Sequence, residues 1–132
     1  MGIVTDPIAD FATRIRNAIQ ARKKELVSPS SKEREQIANV MADCGLIEGY
    51  EIIDSSPQKN IKVKLRYFYG NPAIQNIRRI SKPGLRVYSG YKNLPEVLNG
   101  LGVGIISTPK GIMSYKIAKK KFLGGERLIE VY

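Results

Sequence analysis

The sequence predicts an α+β fold of two small domains: an α/β N-terminal domain over residues 1–70 and a mainly β C-terminal domain over residues 71–132. Three observations predict it. Two segments of the first half carry capping residues and apolar side chains at helical spacing. The stretch from Ile61 to Tyr69 alternates with a period of two, as a half-buried strand does. Beyond Gly70-Asn71-Pro72, short apolar runs are cut by glycine and proline, and the charge balance changes at the same point.

The first helix opens at Asp6, a capping residue, with Pro7 suited to the first helical position. Ile8, Phe11, Ile15, Ala18 and Ile19 form its apolar stripe. Arg14 and Asn17 share another face and Arg16 projects elsewhere; a solvated helix surface is the plainer account of these polar residues. Glu25 to Val27 predicts a short strand before Ser28-Pro29. A second helix starts at Ser30 or Ser31, and with Ser30 as the cap Glu33 completes a capping box. Ile37, Val40, Met41 and Cys44 supply its apolar stripe, which makes Cys44 a small buried hydrophobe, and Gly45 ends it. Strands follow over 47–54 and 61–69, joined by the polar stretch Ser55 to Asn60, and Gly70-Asn71-Pro72 reads as a linker.

The second half predicts strands over 74–81 and 85–89, flanking Lys82-Pro83-Gly84 as the centre of a type II turn. Leu94 to Asn99 reads as one helical turn, and Gly100 to Gly104 opens a strand through Ile105 and Ile106 into Ser107. Lys116 to Lys121 is a short helix, and Gly124-Gly125 leads into a last strand ending at Tyr132.

Lys and Arg total 22 against 12 Asp and Glu, a formal charge of +10, more than solubility asks of a small domain. An excess of this size points to a polyanion, either nucleic acid or an anionic membrane surface. Residues 71–132 hold 11 of the basic residues and only 3 of the acidic ones, so the polyanion is expected there. No apolar run is long enough to span a bilayer, and the first ten residues carry two aspartates and no cation, unlike a targeting peptide. With one cysteine and no histidine, neither an internal disulfide nor a Cys/His metal cluster is available, and the commonest general base is missing. No metal or cofactor is expected, and a reducing compartment suits the chain.

Three constellations carry binding chemistry. Ser107-Thr108-Pro109-Lys110-Gly111 offers hydroxyls, backbone N–H groups and a cation at the end of an apolar strand, as a phosphate- or ribose-binding loop would; an ordinary hairpin turn uses the same residues. It lacks the Gly-Lys-[Ser/Thr] of a nucleotide-hydrolase loop. Lys116 and Lys120 lie four apart on the short helix, equally suited to tracking phosphates and to facing water. Arg78, Arg79, Lys82, Arg86, Tyr88, Tyr91 and Lys92 interleave cations with aromatics, a combination common in RNA binding, while periodicity leaves the facing of Tyr88 open. Catalytic arrangements are weaker. Glu96, Glu126 and Glu130 share no motif, and a serine–lysine hydrolase built on Ser107 and Lys110 rests on sequence proximity alone. A DNA-binding protein would need an exposed recognition helix, for which only the first helix partly qualifies.

Several blocks together resemble the small-subunit ribosomal protein eight family of bacterial type. They are Asp6-Pro7-Ile8-Ala9-Asp10, Thr13-Arg14-Ile15-Arg16-Asn17-Ala18, the run from Arg79 to Tyr88, Leu98-Asn99-Gly100-Leu101-Gly102, Ser107-Thr108-x-Lys110-Gly111 and Gly124-Gly125-Glu126. They fall in order across nearly the whole chain. The resemblance implies a non-catalytic constituent of the small ribosomal subunit. Such a protein binds the central domain of small-subunit rRNA early, supports assembly, sits beside neighbouring ribosomal proteins, and in bacterial members also represses its own operon mRNA. It implies a ribosomal location, in a bacterial cytoplasm or a plastid stroma.

Carried over residue by residue, the RNA-binding set is Ser107, Thr108, Lys110, Gly111, Gly124, Gly125 and Glu126, with Arg86 and Tyr88 as neighbours. The charge reading adds Lys116 and Lys120, and Arg14, Arg16 and Asn17 form a secondary set for RNA or protein. Glu126 is the one anion among them, expected to order the loops by accepting hydrogen bonds. Two positions depart from the family pattern: Pro109 stands where serine is usual, and Phe122 near a usual glycine.

Overall fold

Asp6 Oδ1 accepts a hydrogen bond from the Ala9 N–H at 3.1 Å, and from this cap the first helix, α1, runs over Pro7–Gln20. The computed structural model describes residues 6–55 and 57–132. Then follow β1 (Glu25–Pro29), α2 (Lys32–Asp43), β2 (Ile47–Ser55), β3 (Gln58–Leu65), β4 (Tyr67–Phe68), β5 (Asn71–Pro72) and β6 (Ile77–Arg79). The remainder is β7 (Tyr88–Ser89), a 3₁₀ turn at Tyr91–Asn93, β8 (Val103–Thr108), β9 (Gly111–Ser114), α3 (Tyr115–Lys120) and β10 (Gly125–Val131). Helices and strands coexist as the sequence predicts, with the long helices in the first half and a mostly β second half. Among the described residues no helix is long and apolar enough to cross a membrane.

Two larger sheets and the β4–β5 pair carry the chain. β1, β3 and β2 form an antiparallel sheet in that order, with α1 against β1 and α2 against β2. The second sheet runs β6-β10-β8-β9, with β7 also paired to β10. One core cluster joins Phe11, Ile15, Ile37, Met41, Ile61 and Val63 of the first half to Ile74, Ile77, Ile105 and Ile129 of the second. A smaller cluster gathers Leu94, Val97, Ile106, Met113, Tyr115 and Ala118 beneath α3. Arg16 donates to the Ile77 carbonyl, and Arg79 pairs with Asp6 at 3.0 Å, so α1 is tied to β6 by charge as well as by packing.

Several local expectations are corrected. Ser31, not Ser30, caps α2 by accepting from the Arg34 N–H at 3.2 Å; Ser30 donates instead to Glu35. Cys44 is the exposed C-cap residue of that helix rather than a buried hydrophobe, because the stripe ends one turn earlier at Met41. The connection expected over Ser55 to Asn60 shortens, since β2 and β3 pair as far as Ser55 opposite Gln58; Ser56 lies outside the described residues. The strand expected to reach Tyr69 stops at Leu65, and Gly70-Asn71-Pro72 is no open linker. Asn71–Pro72 pairs with Tyr67–Phe68, and the turn residues Tyr69 and Gly70 both have positive φ (51° and 83°). Such turns follow the twist of a tight hairpin.

The strand expected over 74–81 is only Ile77–Arg79, because the Gln75 and Asn76 N–H groups both donate to the Tyr132 carbonyl instead of entering a ladder. The one expected over 85–89 shrinks to Tyr88–Ser89. Leu85 N–H does close a turn on the Lys82 carbonyl at 2.9 Å, but Gly84 lacks the left-handed φ of a type II turn. Leu94 to Asn99 is not helical, since Pro95 holds Leu94 extended and Leu98 and Asn99 have positive φ.

Candidate nucleic-acid interface

Three adjacent strands set Tyr88, Glu126 and Ser107 in one row. In β10, Glu126 pairs with Tyr88 of β7 on one side and with Ser107 of β8 on the other. Next along β8, Thr108 pairs with Gly111, and Pro109-Lys110 form the two-residue loop of the β8–β9 hairpin. Pro109 sits in the turn, where its missing N–H costs the ladder nothing. Thr108 Oγ1 donates to the Gly111 carbonyl at 2.8 Å and accepts from the Lys110 N–H at 3.1 Å, so this buried hydroxyl holds the loop together. Lys110 is exposed beyond it.

The resemblance puts Gly111, Gly124 and Gly125 together in the RNA-binding set; the structure divides them. A Cβ on Gly125 would lie 1.9 Å from the Ser107 carbonyl oxygen, and one on Gly124 would lie 2.6 Å from that of Ser89. These two are needed by the protein's own strands. Only at Gly111, with φ of 120° and open space at the Cβ position, does the surface stay bare.

Glu126 is held by two donors on one oxygen. Its Oε2 accepts from the Ser81 hydroxyl at 2.5 Å and from Arg86 Nη1 at 2.9 Å. Ser81, fully buried, also accepts the Val87 N–H at 3.1 Å. The carboxylate therefore fixes the loop that carries Arg86 and leads to Tyr88, and Arg86 offsets its charge. Ser81 was not singled out from sequence; a lone serine among apolar and basic residues carries no positional signal.

Tyr88, whose facing periodicity left open, is 68% exposed. All three arginines of the same constellation pair with carboxylates, Arg86 with Glu126 and the other two elsewhere. Arg79 is buried against Asp6 and the Leu128 carbonyl, and Arg78 pairs with Glu130, so neither is an unpaired surface cation. Lys116 and Lys120 are exposed on α3, but Lys116 faces an opening lined by Cys44, Glu96, Tyr115 and Lys119 instead of joining the Ser107 loop. Of the secondary set, Arg14 pairs with Asp10 at 2.9 Å, Arg16 is spent on β6, and Asn17 is exposed. Phe122 adopts φ of 56° and meets Tyr91 edge-to-face with centroids 5.3 Å apart. That backbone conformation is one glycine takes freely.

Four residues further along β10, buried Glu130 centres a polar cluster. Tyr115 donates to Glu130 Oε2 at 3.0 Å, Arg127 donates to both Tyr115 and Glu130, and Arg78 takes Oε1 at 3.0 Å. Gly104, opposite Glu130 in the ladder, makes room for the Tyr115 ring, which a Cβ there would meet at 2.1 Å. Burial alone would raise the Glu130 carboxyl, but hydrogen bonds from Arg127, Tyr115 and Arg78 outweigh it and hold it below the usual carboxylate range. Burial pushes the Tyr115 phenol up to about 12. The strand that carries Glu126 is thereby pinned two turns of the pleat further on.

A family model described as Ribosomal protein S8 matches residues 6–132. The chain is 48% identical over 129 residues to the small ribosomal subunit protein uS8 of Rhizorhabdus wittichii, covering 98% of both chains. It is 49% identical to uS8 of an Azoarcus species, covering 93% of this chain and 94% of the other. With uS8 of Nitrosomonas eutropha the identity is 50% over 95% of each.

Proposed function

The chain belongs to the ribosomal protein S8 family, and we propose that it binds the central domain of small-subunit rRNA through the Tyr88–Glu126–Ser107 row and the adjoining hairpin. As a family member it is a non-enzymatic, structural constituent of the small ribosomal subunit, associated there with rRNA and other ribosomal proteins.

The observation that carries the proposal is the row itself. An exposed aromatic, Glu126 and Ser107 stand in register on three paired strands, with the bare glycine and exposed lysine of the β8–β9 hairpin next to them and Arg86 clamped beside them. Lys110 neutralises a phosphate, Arg86 offers the RNA backbone the guanidinium N–H groups that Glu126 does not take, Ser107 bonds ribose or base edges, and Tyr88 stacks on an unpaired base. Regular A-form RNA hides its base edges in a deep, narrow groove, so such a surface selects an irregular helix. Thr108, Gly124, Gly125 and Glu126 act by positioning, and Lys116, Lys120, Arg14 and Asn17 provide outlying contacts. In this reading residues 1–70 are the scaffold and residues 71–132 the RNA-facing domain, the two sharing a core. The site of action is the ribosome of a bacterial cytoplasm. A messenger RNA of its own operon folded into the same irregular shape would occupy the same surface and be repressed.

Footprinting on naked small-subunit rRNA at several salt concentrations tests this. One protected irregular helix in the central domain is expected, lost in the S107A/K110A variant. Protection spread evenly over the transcript would overturn it, and competition by the operon messenger decides the repressor role.

A further inference from the structure

We propose a second RNA-contacting site, in the first half of the chain, where the β4–β5 hairpin and the α1–β1 loop take a short run of unpaired ribonucleotides. It deepens the RNA-binding reading above and uses none of its residues.

Three hydrogen bonds bring the two loops together. Arg22 donates to the Gly70 carbonyl, the Tyr67 hydroxyl to the Lys23 carbonyl at 2.6 Å, and the Leu65 N–H to the Lys24 carbonyl at 2.8 Å. Arg22, Lys23 and Lys24 are thus held beside the hairpin, with Lys23 and Lys24 exposed. Arg66 joins them, its guanidinium carbon 4.6 Å from the centroid of the Phe68 ring. Among the described residues none of these four cations pairs with a carboxylate; Glu25, next in sequence, turns to Lys62 at 3.9 Å.

The aromatic residues complete the site. Phe68 is 48% exposed and Tyr69, at the hairpin tip, is 103% exposed. Tyr69 also has φ of 51°, a left-handed conformation that is an outlier for a bulky side chain and that such turns usually give to Asn or Gly. The fold gains nothing from a tyrosine there, since its ring meets only solvent. A strained, solvent-facing ring on a hairpin braced by cations is a stacking platform with phosphate partners alongside, the arrangement that takes unpaired nucleotides. A protein partner would call for a broader apolar face than two rings ringed by charge.

The full chain is titrated with an unstructured ten-nucleotide RNA and, separately, with a fragment of small-subunit rRNA containing the protected helix. Y69N, which suits the turn and preserves the fold, should weaken the oligomer about 5- to 150-fold, the range of one lost base stack. K23A/K24A should lower the salt slope for the oligomer by about 1.4. S107A/K110A should weaken only the helical fragment. Oligomer binding by Y69N equal to that of the unmodified chain overturns the second site, as does loss of oligomer binding in S107A/K110A. Loss of helical binding alone in the unmodified chain overturns the proposed function and leaves the second site standing. A photo-crosslink from Tyr69 in assembled subunits to a protein, without oligomer affinity, makes the hairpin a protein contact and overturns the RNA assignment.

Discussion

The Glu126 carboxylate and the buried Ser81 hydroxyl meet at 2.5 Å, and that contact sets the position of the loop leading to Tyr88. Ser81 passes the restraint on by accepting the Val87 N–H. Replacing Ser81 by alanine strands that N–H and leaves Glu126 Oε2 with Arg86 alone, at a cost of about 1–3 kcal/mol. Urea unfolding of S81A should show this loss, with weaker binding of helical RNA. E126Q keeps an acceptor for Ser81 but drops the charge facing Arg86, so it should retain most of the stability while loosening Arg86; unchanged RNA affinity and loop order in E126Q would remove the positioning role.

Tyr88 and Thr108 should separate binding from folding. Y88A removes an exposed ring and is expected to change stability by less than about 0.5 kcal/mol while weakening RNA binding by about 1–3 kcal/mol. T108A removes the hydroxyl that bonds both Gly111 and Lys110 and should lower stability by about 1 kcal/mol. Parallel denaturation and RNA titration check both.

Gly125 and Gly111 should differ in how much alanine costs them. At Gly125 the new Cβ meets backbone at 1.9 Å, which the β10–β8 ladder cannot yield without shifting, so G125A should lose about 4 kcal/mol or fail to fold. At Gly111 only the φ of 120° opposes the substitution, and about 1–3 kcal/mol is expected. Equal losses in a urea series would show that the close approach is relieved by movement.

The Glu130 cluster predicts stability losses at both ends of the pH scale. The Glu130 pKa in the folded chain lies below its ordinary 4.5, so its contribution is present above that value and is lost as pH falls through the lower folded one. Tyr115 is raised from 10 to about 12, so the folded state keeps a proton that the unfolded state releases, and its contribution is lost as pH rises between those values. E130Q should flatten the acid limb of a stability–pH curve. Ultraviolet titration should find one of the seven tyrosines ionising later than the others.

Arg79 was legible as a cation and illegible as a partner. Its sequence neighbourhood placed it in a basic, aromatic stripe, whereas Asp6, 73 positions earlier, claims its guanidinium. R79A should cost about 3 kcal/mol by stranding Asp6 and leave the salt slope of RNA binding unchanged. Local chemistry carried the N-terminal helices well: the Asp6 cap, the Pro7 start and the stripe of Phe11, Ile15 and Ala18 all stand where spacing put them. It carried the short strands of the second half poorly, because β6 and β7 exist only through pairing with β10.

By itself the sequence determined the α+β class, the long helices and the basic second half, since periodicity and capping act between residues close in the chain, whereas the strand Gly111–Ser114 that makes the Ser107 loop a hairpin was not legible. The tertiary structure alone decided which glycines serve the protein's own backbone, which arginines are consumed by Asp6 and Glu130, and that Glu126 holds Ser81. It also decided that Tyr69 stands free at a hairpin tip. Those outcomes depend on contacts between residues tens of positions apart, and the free energy of such a pair is fixed by the packing that brings the two together, not by either residue's neighbours.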